Sequence, residues 1–229
     1  MNVGKSFTYA FDDPDWFSKI WKPVLCCLIP FIGGFVLQGY FMNVIKNVAN
    51  GESRPLYHMD FENELKTGFR WFLVQFIYAL PIILVSVGVM LLMPVTMSVF
   101  EPGSNPTGVA FSLLGQLGIS TISYILSAFY MFVLPIVMTN VAVKETFAAG
   151  FEFKEMFAMV KRNISAWLLV LAGQLIAGII APLGVFFFFI GIFVSLTYAS
   201  LMTSYLAGQA YRESQLLNTP PQYYYPPNY

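Results

Sequence analysis

The sequence predicts an all-α fold: a polytopic helical membrane protein of about five hydrophobic helices, the first kinked or re-entrant, joined by amphipathic interfacial helices. Three observations predict it. Of the 229 residues, 57% are hydrophobic and 10% charged, and the mean hydropathy is +0.66, outside the range of a water-soluble domain. Between Arg162 and Arg212 the chain runs 49 residues without a charge. One helix of that length would measure about 74 Å, roughly twice the hydrocarbon thickness of a bilayer, so the run must fold back once. Finally, all twelve Lys and Arg fall in four places, residues 5–22, 46–70, 144–162 and Arg212. The connections at 98–110 and 181–184 carry none.

These observations divide the chain into an N-terminal interfacial segment (1–22), an integral membrane domain (23–211) and a Pro/Tyr-rich cytoplasmic tail (212–229). Spans are expected at about 23–45, 71–97, 111–143, 164–181 and 184–208. Residues 1–22 mix aromatics with Lys5, Lys19, Lys22 and three aspartates, a composition suited to the headgroup level. They lack the apolar core of a cleavable signal peptide, so the first hydrophobic helix is expected to direct insertion. Residues 23–45 are interrupted by Ile29-Pro30-Phe31-Ile32-Gly33-Gly34. Such a segment either crosses once with a kink or dips in and returns, and lysines on both flanks leave both readings open. The single crossing is preferred. Cys26 and Cys27 are adjacent, without metal-ligand spacing, and read as small lipid-facing or packing residues.

In the connection 46–70, Phe61, Leu65, Gly68 or Phe69, and Phe72 recur at helical spacing, with Glu62 and Lys66 four apart on a polar side. The pattern predicts an amphipathic helix lying on the membrane. The span 71–97 holds Pro81 and Pro94; a turn-rich loop follows, and then the span 111–143 with Pro135. In the connection 144–163, Phe153, Met156, Phe157, Val160 and Ile164 predict a second surface helix. Asp60-Phe61 through Trp71 and Glu152-Phe153 through Trp167 resemble each other, a sign of internal duplication. The last two spans form a hairpin turning at Ala181-Pro182-Leu183-Gly184.

By the positive-inside rule both amphipathic connections and the C-terminus are cytoplasmic. A single crossing by 23–45 would put Lys5, Lys19 and Lys22 outside; a re-entrant hairpin would keep them in. The tail contains Pro220-Pro221-Gln222-Tyr223 and Pro226-Pro227-Asn228-Tyr229, the Pro-Pro-x-Tyr form that WW domains bind. Candidate partner-binding residues are therefore Pro220, Pro221, Tyr223, Pro226, Pro227 and Tyr229, against the plainer reading of a solubilising tail.

An extended strand would align His58, Asp60, Glu62 and Glu64 as a metal or acid-base set, but Phe61 and Leu65 favour helix from about residue 60. There the set scatters, and the carboxylates read as a solvated helix start. No catalytic, cofactor-binding or metal site is expected, nor a surface for nucleic acid. Gln38, Gln75, Gln116, Asn140 and Gln174 could line a route, although such residues more often join helices by hydrogen bonds. Glycines and alanines such as Gly173, Ala177 and Gly178 offer close helix contacts.

The motifs Ile29-Pro30-Phe31-Ile32-Gly33-Gly34, Gly39-Tyr40, Asn50-Gly51-Glu52, Gly68-Phe69 and Tyr78-Ala79-Leu80-Pro81 resemble prokaryotic membrane proteins classed as domain of unknown function 4013. The likeness continues through Pro135 to Gly208-Gln209-Ala210-Tyr211-Arg212 and covers residues 14–213, leaving the tail outside. It implies an α-helical inner-membrane protein and carries no activity or site residues to transfer. The expected function is that of a non-enzymatic scaffold or accessory subunit. Its partners would be membrane lipids and other membrane proteins or further copies of itself, with no cofactor. A small-solute or lipid transporter is the alternative, and a lipid-headgroup enzyme acting through His58 and Asp60 the third reading.

Overall fold

The computed structural model describes residues 1–98 and 106–217; it is 84% helical, with no strand among the described residues. In order, the α-helices are α1 (Val3–Thr8), α2 (Trp16–Cys26), α3 (Ile32–Ala49), α4 (Phe61–Ser98), α5 (Pro106–Lys144), α6 (Phe153–Arg162), α7 (Ile164–Leu183) and α8 (Phe188–Leu216). Short 3-10 turns at Ala148–Phe151 and Gly184–Phe187 precede α6 and α8. Three stretches among the described residues are long and apolar enough to cross a membrane, against about five expected. They are Phe61–Leu91, Thr107–Lys144 and Ile164–Phe186, whose most apolar 18-residue windows have mean hydropathies of 2.3, 1.9 and 2.2. The tail residues Pro220, Pro221, Tyr223, Pro226, Pro227 and Tyr229 lie outside the described residues, as does most of the loop at 98–110.

The segment at 23–45, expected either to cross once with a kink or to dip in and return, is broken. Helix α2 ends at Cys26 and α3 begins at Ile32, with Phe31 between them at φ 61° and 88% exposed. The chain reverses there. A Cβ on Gly33 would stand 1.8 Å from the carbonyl oxygen of Cys26, and the Tyr40 hydroxyl lies 3.4 Å from that of Lys19. Positions 33 and 40 of α3 thus face positions 26 and 19 of α2, an antiparallel hairpin. Pro30 before Phe31 ends the first helix by removing a donor, and the missing side chain of Gly33 lets the second pack back on it.

Two further expectations are corrected. The predicted surface helix around 61–72 is not separate: it is the first three turns of α4, continuous with the span. The hairpin turn lies later than predicted, because α7 runs through Pro182 to Leu183 and the 3-10 turn makes the reversal. Pro182 supplies no N–H to the carbonyl one turn back, and the carbonyl of Ala181 is capped by the Ser195 hydroxyl at 2.6 Å. At Asn163 the chain breaks sharply between α6 and α7, and its side chain accepts from the Ala166 N–H at 3.2 Å as an N-cap.

The described residues form two compact units, one within 1–72 and 135–217 and one within 73–134. In the larger, α8 is the hub: Leu201, Met202, Leu206 and Ala210 are buried against neighbours that include α3 and α7. Helix α3 is buried almost as deeply, through Val36, Tyr40, Val44 and Val48. The N-terminal segment runs antiparallel to α8. The Met1 ammonium pairs with Glu213, the Tyr9 ring stacks on Tyr205 at 4.3 Å with its hydroxyl donating to Leu201, and the Tyr198 hydroxyl donates to Phe7. In the smaller unit, side chains such as Leu84, Met90, Leu117 and Phe129 face outward. Its hydroxyls Ser86, Thr121 and Ser123 each bond a carbonyl one turn back, which leaves them no need of water.

Candidate functional site

The first turns of α4 set one buried carboxylate against an outward face of phenyl rings and paired surface charges. Glu64, Thr67, Gly68 and Trp71, spaced as one helical stripe, face inward. Phe61, Phe69, Phe72 and Phe76 face outward, between 38% and 49% exposed. Of the ionisable groups in these turns only Glu64 is held inside, while Glu62 and Lys66 stay exposed and paired with each other; the outward rings suit an apolar surround.

Glu64 is 0% exposed. One carboxylate oxygen accepts from the Tyr57 hydroxyl and the other from the Asn43 side-chain amide at 2.9 Å. The Tyr57 ring stacks on that of Tyr40 at 5.0 Å. Burial, and then the neighbouring Glu64 charge, push the Tyr57 phenol well above its ordinary range, so it remains a donor. Among the described residues no lysine or arginine forms an ion pair with Glu64. Three elements meet at this carboxylate: α3 through Asn43, α4 through Glu64 itself, and the connection 50–60 through Tyr57. The approach of α3 to α4 is close, since a Cβ on Gly39 would stand 2.0 Å from the Glu64 carbonyl oxygen and one on Gly68 1.7 Å from that of Phe35. Two glycines facing each other's backbone allow this crossing.

Nearby, Asp13 is 3% exposed and paired with Lys19 at 2.6 Å. Burial by itself raises the carboxyl, but the Lys19 ammonium and the Asp15 backbone N–H outweigh it and hold Asp13 below its usual range. A second polar cluster gathers where α5 meets α6. The buried Asn140 amide donates to Ala149 at 2.8 Å and to Glu152 at 3.1 Å, while Lys144 bridges Glu152 and Glu155. Lys144 and then Asn140 hold Glu152 below the usual carboxylate range. The two clusters use one device: an asparagine near the end of one helix donates to a carboxylate from a following segment, and Trp71 and Trp167 are both buried beyond it. Glu145 joins α3 to the same region, accepting from Lys46 at 2.8 Å and, through its carbonyl, from Arg70.

The residues singled out in the sequence do not converge. His58 and Asp60 are exposed, and Glu62 is exposed and paired with Lys66. Glu64, read as part of a solvated helix start, is the buried one. Among the described residues no three His, Cys, Asp or Glu side chains gather as a metal site. Cys26 is buried near the Met59 sulfur, and Cys27 lies 3.8 Å from the Thr197 hydroxyl. Of the five proposed route residues, Gln38, Asn140 and Gln174 belong to the larger unit and Gln75 and Gln116 to the smaller. Tyr57 and Asn43 carry no sequence signal of their own. The spacing 64-67-68-71 does, as one stripe of a helix.

A family model described as "Protein of unknown function (DUF4013)" matches residues 24–196, about three quarters of the chain. The chain belongs to this family. The matched range is narrower than the expected 14–213 and, as expected, leaves out the tail. Asn43, Tyr57, Glu64, Asn140 and Glu152 all lie inside the DUF4013 region. No curated protein and no solved structure gives a match.

Proposed function

We propose that this member of the DUF4013 family is a non-enzymatic protein of the cytoplasmic membrane, a scaffold or accessory subunit that presents apolar faces to lipid and to other membrane proteins. The observation that carries the reading is the polarity of α4: a carboxylate satisfied inside, phenyl rings outside. Buried polar groups of this kind tie helices together, while outward apolar faces are what a membrane partner or lipid would meet. The ion pair between the Met1 ammonium and Glu213 supports a topology with both termini on the cytoplasmic side. With α2 and α3 as a re-entrant hairpin, all twelve basic residues then lie on that side, as the positive-inside rule favours. Purification in mild detergent, with mass spectrometry of bound proteins and lipids, tests the reading. A membrane-protein partner at fixed stoichiometry supports it; an isolated monomer that moves a solute across liposomes overturns it.

One observation favours the transporter alternative. The side-chain carbonyls of Asn140 and Gln174 are buried without a hydrogen-bond partner, and Gln174 opens on a groove of about 270 Å³ between α7 and α8 lined also by Ser200 and Thr203. Proteoliposome flux abolished by Asn140→Ala or Gln174→Ala would favour that reading.

A further inference from the structure

Helix α6 has two faces of different chemistry. Met156 and Met159 are buried, and Glu155 on the same side is taken by Lys144. Opposite them, Phe153 is 61% and Phe157 72% exposed, and Lys154 and Lys161 are exposed. At about 100° per residue the two rings lie roughly 40° apart and the two lysines follow within about 60° more, so rings and ammonium groups share one outward face. No acid of α6 lies on it, and among the described residues neither lysine is ion-paired. Beyond the break at Asn163, Ile164 and Leu168 of α7 are also exposed, within the candidate span Ile164–Phe186.

We infer that the outward face of α6 docks on a bilayer surface carrying anionic lipid, with Phe153 and Phe157 at the headgroup–acyl boundary and Lys154 and Lys161 on the phosphates. The inference rests on the membrane reading above and adds a lipid class to it. Phenyl rings supply apolar burial at any bilayer, whereas the lysines act only where the surface is negative. At such a surface each lysine biases the docked state roughly fivefold.

The test uses the full chain in a Cys26→Ala/Cys27→Ala background, spin-labelled at Phe157→Cys or, as a span control, at Ile179→Cys. Each is placed in nanodiscs of phosphatidylcholine alone or of phosphatidylcholine and phosphatidylglycerol at three to one. The expected result is a several-fold fall in collisions with an aqueous nickel chelate at position 157 when phosphatidylglycerol is present. Lys154→Gln/Lys161→Gln should remove that response. A label at 157 equally open to water in both compositions overturns the inference, as does one equally shielded in both and unaffected by loss of the lysines. In either case a lipid-buried label at 179 leaves the membrane reading intact; a water-exposed one refutes that reading instead.

Discussion

Removing the Glu64 carboxylate should destabilise the protein far more than neutralising it. In Glu64→Ala the Tyr57 hydroxyl and the Asn43 amide both lose their acceptor. A buried donor left unpaired costs about 1–3 kcal/mol, so two cost about 4 kcal/mol, a large fraction of the stability of an ordinary domain. For a chain of this length that lowers Tm by about 10 °C. Glu64→Gln retains the shape and two polar atoms: its oxygen accepts from Asn43, and its amide donates to the Tyr57 oxygen once that hydroxyl turns. The expected cost is below about 1.5 kcal/mol. Trp71, buried on the same stripe of α4, reports unfolding by its fluorescence in detergent or nanodiscs. The reasoning is refuted if Glu64→Ala melts within about 2 °C of the native chain, or if Glu64→Gln is as damaging as the alanine variant.

Other outcomes follow from the same geometry. Gly39→Ala puts a Cβ 2.0 Å from the Glu64 carbonyl, forces α3 from α4 and should cost about 1–3 kcal/mol, whereas Gly34→Ala, with nothing within 4 Å, should be neutral or slightly stabilising; thermal melts of the pair check this. Asp13 is held below its ordinary carboxyl range in the folded state, so its contribution is complete above the unfolded pKa of about 3.9 and is lost as pH falls through the lower folded value. The Tm difference between the native chain and Asp13→Asn should therefore hold steady above about pH 5 and shrink toward pH 3; a gap unchanged at pH 3 would contradict the pairing. Reporter fusions at residue 2 and after residue 213 should both report cytoplasm, and opposite reports would restore the single crossing by 23–45.

The helical class and the presence of helices long and apolar enough to cross a membrane were legible in the sequence because they rest on sums: the 49-residue run without charge and the confinement of lysine and arginine do not depend on which residue touches which. Family membership was legible for a similar reason, through motifs such as Ile29-Pro30 and Gly68-Phe69 read along the chain. The candidate site was not. The spacing of Phe61, Leu65, Phe69 and Phe72 fixes an apolar stripe on α4, but periodicity is the same whether the stripe faces a core or a lipid. Only the packing of α3, with Gly39 against the Glu64 backbone, decides that these rings point outward and Glu64 inward.

By itself the sequence determined where helices form and which stretches oil can solvate, since propensity, charge and hydropathy belong to single residues and their near neighbours. Tertiary structure alone decided that residues 16–49 fold back as a hairpin, that Tyr57 and Asn43 share one carboxylate, and that the N-terminus lies against Glu213. Those are meetings of groups 7 to more than 200 positions apart. A buried charge selects its partners by distance in space, and that distance is set by how closely glycine lets two helices approach.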